Sequence, residues 1–238
     1  MSVIRVSTAN YPESDGKPMG ETDLHRDAMV RHIELLKHHY RGQQVYVSGD
    51  LLVYYVEGNP KKYVVPDAFV VKGIDPGPRR IYRIWIEGKA PDVVIETTSR
   101  KTKRKDTVIK PRLYAQLGIP EYFLFDPEGD YLAPRLQGYR FDGGQYQRID
   151  ADAEGCLSSR ELDLRLKLEH GELQFYRQDS GERLLTAEER SDRDQRAFET
   201  EATARQAEAT ARQAEADARR SAESEVERLR EELRKLQS

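Results

Sequence analysis

The chain has 238 residues, 34% of them charged and 37% hydrophobic, which allows one large domain or a domain with an appendage. Of its 39 basic and 42 acidic residues, 11 and 14 lie in 187–238, leaving 28 of each sign in a neutral body and excluding a bulk polycation that binds nucleic acid by charge alone. No run approaches the roughly 20 apolar residues of a membrane span, residues 1–18 lack a signal-like apolar stretch, and the single cysteine, Cys156, excludes a disulfide framework, so the cytoplasm is the expected compartment.

Residues 1–20 are polar, with Pro12, Gly16, Pro18 and Gly20, and read as a flexible lead-in. Glu21 to Tyr40 reads as a helix capped by Thr22 or Asp23, with Leu24, Ala28, Met29, Ile33, Leu36 and Tyr40 at helical spacing. Alternation over 44–48 predicts a strand, Gly49-Asp50 a turn, and 51–56 a second strand broken at Gly58-Asn59-Pro60. Strands are predicted again at 68–71, 82–87 and 93–97. The last is a short apolar run ending in a charge, as a buried central strand would be. A basic stretch from Arg100 to Lys105 precedes a helix over 106–117 that stops at Gly118. Pro111 lies near the start of that helix, where a first-turn proline is tolerated and a later one kinks. Residues 121–125 form another buried-looking strand, and turn signals at 142–144 and 170–171 predict two hairpins extending to Tyr176. The order of helix, strands, helix and strands predicts an α/β or α+β domain on one mixed sheet, spanning 21–183.

Residues 184–238 differ in kind. Ala202–Glu208 (ATARQAE) is repeated directly by Ala209–Glu215, and the seven-residue period marks a heptad. Small residues at 204, 207, 211, 214 and 218 give the 3–4 spacing of a seam, which resumes as Ala222, Val226, Leu229, Leu233 and Leu236. This predicts a long helix that forms a coiled coil with another chain, a homodimer on base rates. A solvated single helix is the alternative.

Asp67 and Glu96 stand out as candidates for chemistry. Each sits at an end of a strand that reads as buried, where a carboxylate is costly unless paired or bound to a metal. On neighbouring strands they could converge on one divalent ion, and two carboxylates plus water suit Mg²⁺. The alternative is a pair of strand-end carboxylates accepting backbone N–H groups. Lys110 could point back at the end of the Glu96 strand and neutralise an oxyanion on phosphorus, or be one more solvated lysine. Glu21 and His25 are i,i+4 on one helix face and read as a partly exposed surface contact. His32, His38 and His39 lack metal-ligand spacing, and Trp85, Tyr82 and Tyr122 read as core or sheet-face aromatics. Cys156 has no partner that supports a thiol nucleophile.

Val65-Pro-Asp-Ala-Phe-Val-Val71, Ala90-Pro-Asp-Val-Val-Ile-Glu-Thr-Thr-Ser99, then Asp106, Lys110, Tyr114 and Gly118-Ile-Pro-Glu-Tyr-Phe-Leu-Phe-Asp-Pro127 resemble the Uma2 family of restriction-endonuclease-like proteins, within the PD-(D/E)XK nuclease superfamily. The resemblance covers about 21–183. It implies a restriction-endonuclease-like core with one mixed central sheet flanked by helices, with Asp67 as the "PD" carboxylate and Glu96 as the acidic member of the "E-x-K" strand. Glu96-Thr97-Thr98 carries threonine where the general motif has lysine, and the resemblance implies that Lys110 of the following helix supplies the ammonium instead.

The expected function is Mg²⁺-dependent endonucleolytic hydrolysis of DNA, with Mn²⁺ as a possible substitute. Asp67 and Glu96 hold the metal in this reading, Lys110 stabilises developing charge, and Glu21 reaches the metal shell through water. Arg100, Lys101, Lys103, Arg104 and Lys105 form a phosphate-contacting loop, with a solvated charged face as the alternative. The rival class is a non-catalytic scaffold assembled through the heptad tail.

Overall fold

A computed structural model describes residues 9–14, 16 and 22–236. Two chain segments rich in β-branched and aromatic residues, Val93–Thr97 (β6) and Glu121–Phe125 (β7), are buried along their whole length. They pair in parallel at the centre of a six-stranded sheet. A parallel pair needs a crossover, and here a helical segment over 105–116 supplies it. Ala68–Lys72 (β4) runs antiparallel beside β6, Val45–Ser48 (β1) lies beyond β4, and Leu136–Asp142 (β8) with Gln145–Ile149 (β9) complete the other side. The sheet is therefore mixed, as the order of elements implied.

The expected single sheet is joined by two small ones. Val53–Tyr54 (β2), Tyr63–Val64 (β3) and Tyr82–Arg83 (β5) form the first, and Leu157–Ser159 (β10), Leu164–Glu169 (β11) and Glu172–Arg177 (β12) the second. The strands predicted over 51–56 and 82–87 are shorter than expected. The second turns at Ile84 into a four-residue helix, Ile84–Glu87 (α2), closed by Gly88 in the left-handed conformation. Trp85 accordingly sits half-buried on α2 against the Tyr11 ring, whereas Tyr82 and Tyr122 are core residues. Tyr11 and Pro12, within the expected flexible lead-in, dock on Tyr54: the rings meet edge to face and the Tyr54 hydroxyl donates to the Pro12 carbonyl at 2.6 Å.

Strand alternation splits the core into two faces. Ala68, Val70, Val93, Ile95, Phe123 and Phe125 point to the side covered by helix Asp23–His39 (α1) and the β10–β12 sheet. Phe69, Val71, Val94, Tyr122 and Leu124 point to the side of Tyr114. Thr22 caps α1, accepting from the His25 N–H. The buried stripe of α1 is rotated from the expected one: Leu24 is exposed, while His25, His32, Leu35 and Leu36 face inward.

The body ends at Thr186, since Leu184 still packs into its core, and a second unit starts at Ala187. That unit is one helix, Ala187–Leu236 (α4), whose described side chains are exposed from Ser191 onward. Its i,i+4 pairs Glu201–Arg205 and Glu208–Arg212 follow from the heptad repeat. Among the described residues no helix is long and apolar enough to cross a membrane.

Candidate active site

Asp67 immediately precedes β4 and Glu96 is the fourth residue of β6, and the antiparallel pairing of these strands brings the two carboxylates together. The Asp67 N–H donates to Glu96 Oε2 at 3.4 Å, and Asp67 Oδ2 accepts from the Thr97 N–H at 2.8 Å. Gly49 makes the arrangement possible. A Cβ at Gly49 would lie 1.9 Å from the Asp67 carbonyl oxygen, so the residue that reads as a turn glycine is in fact required by close backbone approach.

Lys110 is the third member. It is buried, and its Nζ lies 2.6 Å from Glu96 Oε2 and 3.2 Å from Asp106 Oδ1. The helix carrying it is not the expected continuous α-helix. Lys105–Ile109 is a π-helical segment, with the Lys110 N–H bonding to the Lys105 carbonyl, and Lys110–Gln116 (α3) continues it as an α-helix. Pro111 favours this, because its ring cannot donate and crowds the carbonyl four residues back.

Two further residues join that sequence reasoning left without roles. Tyr114 donates its hydroxyl to Glu96 Oε1. Asp106, buried, accepts from Thr98 Oγ1 at 2.8 Å, and its carbonyl accepts from the Tyr122 hydroxyl. Their spacing is the available signal: 106, 110 and 114 are each four apart, yet burial of acidic and phenolic groups on one line cannot be read from a helix of assumed geometry.

His25 is a correction. In place of a partly exposed surface contact, it is 3% exposed with Nε2 3.5 Å from Asp67 Oδ2. Glu21 lies outside the described residues. His32 is a core residue between the rings of Phe125 and Phe175, pushed down to about 3 by burial first and then by Arg31, and so neutral.

Burial acts oppositely on the two carboxylates. It alone would raise Asp67, but the hydrogen bond from His25, the charge of Lys110 and the Thr97 N–H outweigh it and hold Asp67 below its ordinary range. Glu96 has no exposed surface; burial pushes it up to about 8 against the pull of Lys110, with Asp67 and Asp106 adding to the rise. Burial disfavours the Lys110 ammonium, yet Glu96, Asp67 and Asp106 together hold it well above the usual lysine range. Of the pair, the lysine stays charged and the glutamate yields first.

All five cations of the basic run are exposed. Half of the run departs from the expected loop, since Lys103, Arg104 and Lys105 already belong to the helical segment. Arg100 lies against Asp130 at 3.6 Å and Lys103 over the Tyr131 ring at 4.9 Å. Among the described residues Lys101, Arg104 and Lys105 form no ion pair. The run begins three residues beyond Thr97, so it borders the carboxylate pair.

A mixed sheet with paired carboxylates at adjoining strand ends, and a lysine delivered from the crossover helix, defines a protein of restriction-endonuclease-like fold. The family model described as "Uma2: Putative restriction endonuclease" matches residues 11–176. The chain belongs to the Uma2 family. Among solved structures it is similar to that of a "putative nuclease belonging to DUF820" from Anabaena variabilis, at 15% identity over 61% of this chain and 76% of that one, with a TM-score of 0.44. No curated protein matches it.

Proposed function

We propose that the chain is a Mg²⁺-dependent endonuclease that hydrolyses DNA phosphodiester bonds. The observation that carries this reading is the contact of Asp67 with Glu96 on neighbouring strands, with the buried Lys110 ammonium 2.6 Å from Glu96. Among the described residues no cluster of three or more His, Cys, Asp or Glu side chains gathers at metal-binding spacing, so the protein would offer two carboxylates. Hard oxygen donors in that small number fit Mg²⁺, which keeps several waters, and Mn²⁺ in its place. Bound there, the cation supplies an acidified water and a polarised phosphate.

The chain's own residues supply the rest. His25 and the Thr97 N–H both donate to Asp67 Oδ2, which orients that carboxylate and leaves Oδ1 for a ligand. Lys110 offers a desolvated positive charge to a developing oxyanion. The exposed cations from Arg100 to Lys105 would contact the DNA backbone. Replacing Lys101, Lys103, Arg104 and Lys105 is expected to flatten the log–log salt dependence of DNA binding by about one unit per lost contact. An unchanged slope means a solvated face.

Plasmid nicking tests the activity: wild type nicks with Mg²⁺ or Mn²⁺ and Asp67→Ala does not. One observation favours a second reading, a non-catalytic scaffold, namely that both oxygens of Glu96 already accept hydrogen bonds from Lys110 and Tyr114. Absence of both nicking and calorimetric Mg²⁺ binding in the wild type selects that reading. In either case α4 is proposed to pair two copies of the chain through its 3–4 seam. Light scattering of full-length protein against a truncation after Thr186 checks this, with a full-length monomer at tens of micromolar as the opposing result (roughly where a weak coiled coil still associates).

A further inference from the structure

We infer that Asp106, held by Thr98, is the positioning residue that keeps the Lys110 ammonium at the carboxylate pair. Thr98 performs this from the strand position where the general motif carries its lysine. The inference rests on the proposed nuclease reading for its catalytic consequence, but its geometry stands alone.

Thr98 lies two residues after Glu96, on the same face of the extended chain leaving β6. It is fully buried, and its hydroxyl donates to Asp106 Oδ2 at 2.8 Å while contacting the Tyr131 hydroxyl. Asp106 spends its other oxygen, Oδ1, on Lys110 Nζ at 3.2 Å. The Tyr122 hydroxyl pins the Asp106 carbonyl from beneath. A threonine thus does not simply vacate the lysine position. Its hydroxyl reaches the lysine indirectly, through one carboxylate.

The π-helical segment explains why the three groups can share one face. In an α-helix each four-residue step overshoots a full turn by about 40°, so positions 106, 110 and 114 would fan out over roughly 80°. The wider π turn undershoots instead, by about 30°. One π step from Asp106 to Lys110 followed by one α step to Tyr114 nearly cancels. Asp106 and Tyr114 therefore nearly align, with Lys110 about 30° to one side, and the fan is about half as wide as in an α-helix, so all three reach the Glu96–Thr98 edge, as their contacts require.

The need for Asp106 follows from electrostatics. An ammonium has three N–H donors. One goes to Glu96 Oε2, and Asp106 Oδ1 holds the ammonium as an ion pair at 3.2 Å, so donor capacity remains for an oxyanion. If Glu96 gave an oxygen to a divalent cation, Glu96 would no longer anchor the ammonium, whose charge would then be repelled. Asp106 is the anchor that stays, and both of its oxygens are already committed to that task.

Two isosteric changes in the full chain test this: Asp106→Asn removes the anchoring charge, and Thr98→Val removes the hydroxyl that orients it. Circular dichroism establishes folding. Acetylation of Lys110 by acetic anhydride, read by mass spectrometry, reports the ammonium without any activity. The expected result is at least a fivefold faster modification of Lys110 in Thr98→Val and Asp106→Asn than in wild type, with Thr98→Ser like wild type. In nicking assays kcat is expected to fall about tenfold or more, with the KM for plasmid and the calorimetric Mn²⁺ affinity changed less than twofold. Equal Lys110 labelling in wild type and Thr98→Val, the milder change should Asp106→Asn not fold, overturns the inference. A wild type that does not nick defeats the nuclease reading, while the labelling still decides the positioning role.

Discussion

Two ion pairs in this chain share a spacing and a direction and differ in almost everything else. Asp106–Lys110 in the crossover segment and Glu201–Arg205 in α4 are both acidic-to-basic i,i+4 pairs. The first has side chains 6% and 3% exposed, the second 77% and 61%. In water the pair adds a few tenths of a kcal/mol to the helix and is screened by salt. In the interior each charge has lost its hydration, and breaking one partner leaves an uncompensated ion. The lesson is that identical sequence grammar encodes helix propensity in one place and a charged site in the other, with burial as the deciding variable.

The largest test of that contrast is Lys110→Met. Removing the ammonium leaves the Asp106 carboxylate uncompensated in the interior, at a cost of about 3–5 kcal/mol in urea unfolding, and nicking is expected to fall by about 10²–10³-fold. Adding Thr98→Lys to that variant returns an ammonium to the strand position and is expected to recover part of the lost rate. Recovery of stability without any rate would mean that Lys110 acts only in holding the fold.

Gly49→Ala comes next. The new methyl would overlap the Asp67 carbonyl and also lie 2.6 Å from Ile33 Cδ1, so the backbone at Asp67 must move. The expected loss is about 1–3 kcal/mol, with weakened Mg²⁺ binding by calorimetry. Wild-type metal affinity in this variant would uncouple Asp67 from the metal.

The pH dependence of metal-free protein follows with its sign set by Glu96. Its folded value, about 8, lies above its ordinary 4.5, so between these values the native state keeps a proton that the unfolded chain has lost. Stability therefore falls as pH rises through that window, by at most about 1.4 kcal/mol per pH unit for one proton. Asp67, held low, contributes the reverse: stability present above 3.8 that is lost as the pH falls. Melting temperature measured from pH 5 to 8 is expected to decline in wild type and to decline less in Glu96→Gln, which is also expected to lose Mg²⁺ binding. Parallel curves would place the titrating group elsewhere.

The smallest effect belongs to the exposed pair. Glu201→Gln is expected to change helicity at 222 nm only slightly, about 0.3 kcal/mol of helix stability, and to leave nicking untouched. A large effect there would show that α4 buries this face against something.

Much of the fold was legible because its signals are local. The apolar runs at 93–97 and 121–125 could only be central strands, and turn residues at 142–144 and 170–171 marked both hairpins. Asp67 and Glu96 were legible as carboxylates in strands that had no other use for them. Three features were not. His25 and His32 replaced Leu24 on the inner face of α1, because the helix is rotated by what it packs against. Residues 84–87 left the strand state for a helical turn. Asp106 and Tyr114 entered the site only because a π segment shifts the helix by one residue.

By itself the sequence determined which segments must be buried, where the chain turns, and that the charged stretch from 187 onward, with its small-residue 3–4 seam from 204, forms a helix of another kind. These are short-range consequences of side-chain size, polarity and period. Only the tertiary structure decided which charges lose their water. Whether Lys110 is a surface lysine or a buried ammonium between Glu96 and Asp106 depends on the pairing of β4 with β6, on a glycine that lets β1 approach Asp67, and on a π turn before a proline. Desolvation is a property of surroundings assembled from distant parts of the chain, so no local pattern contains it.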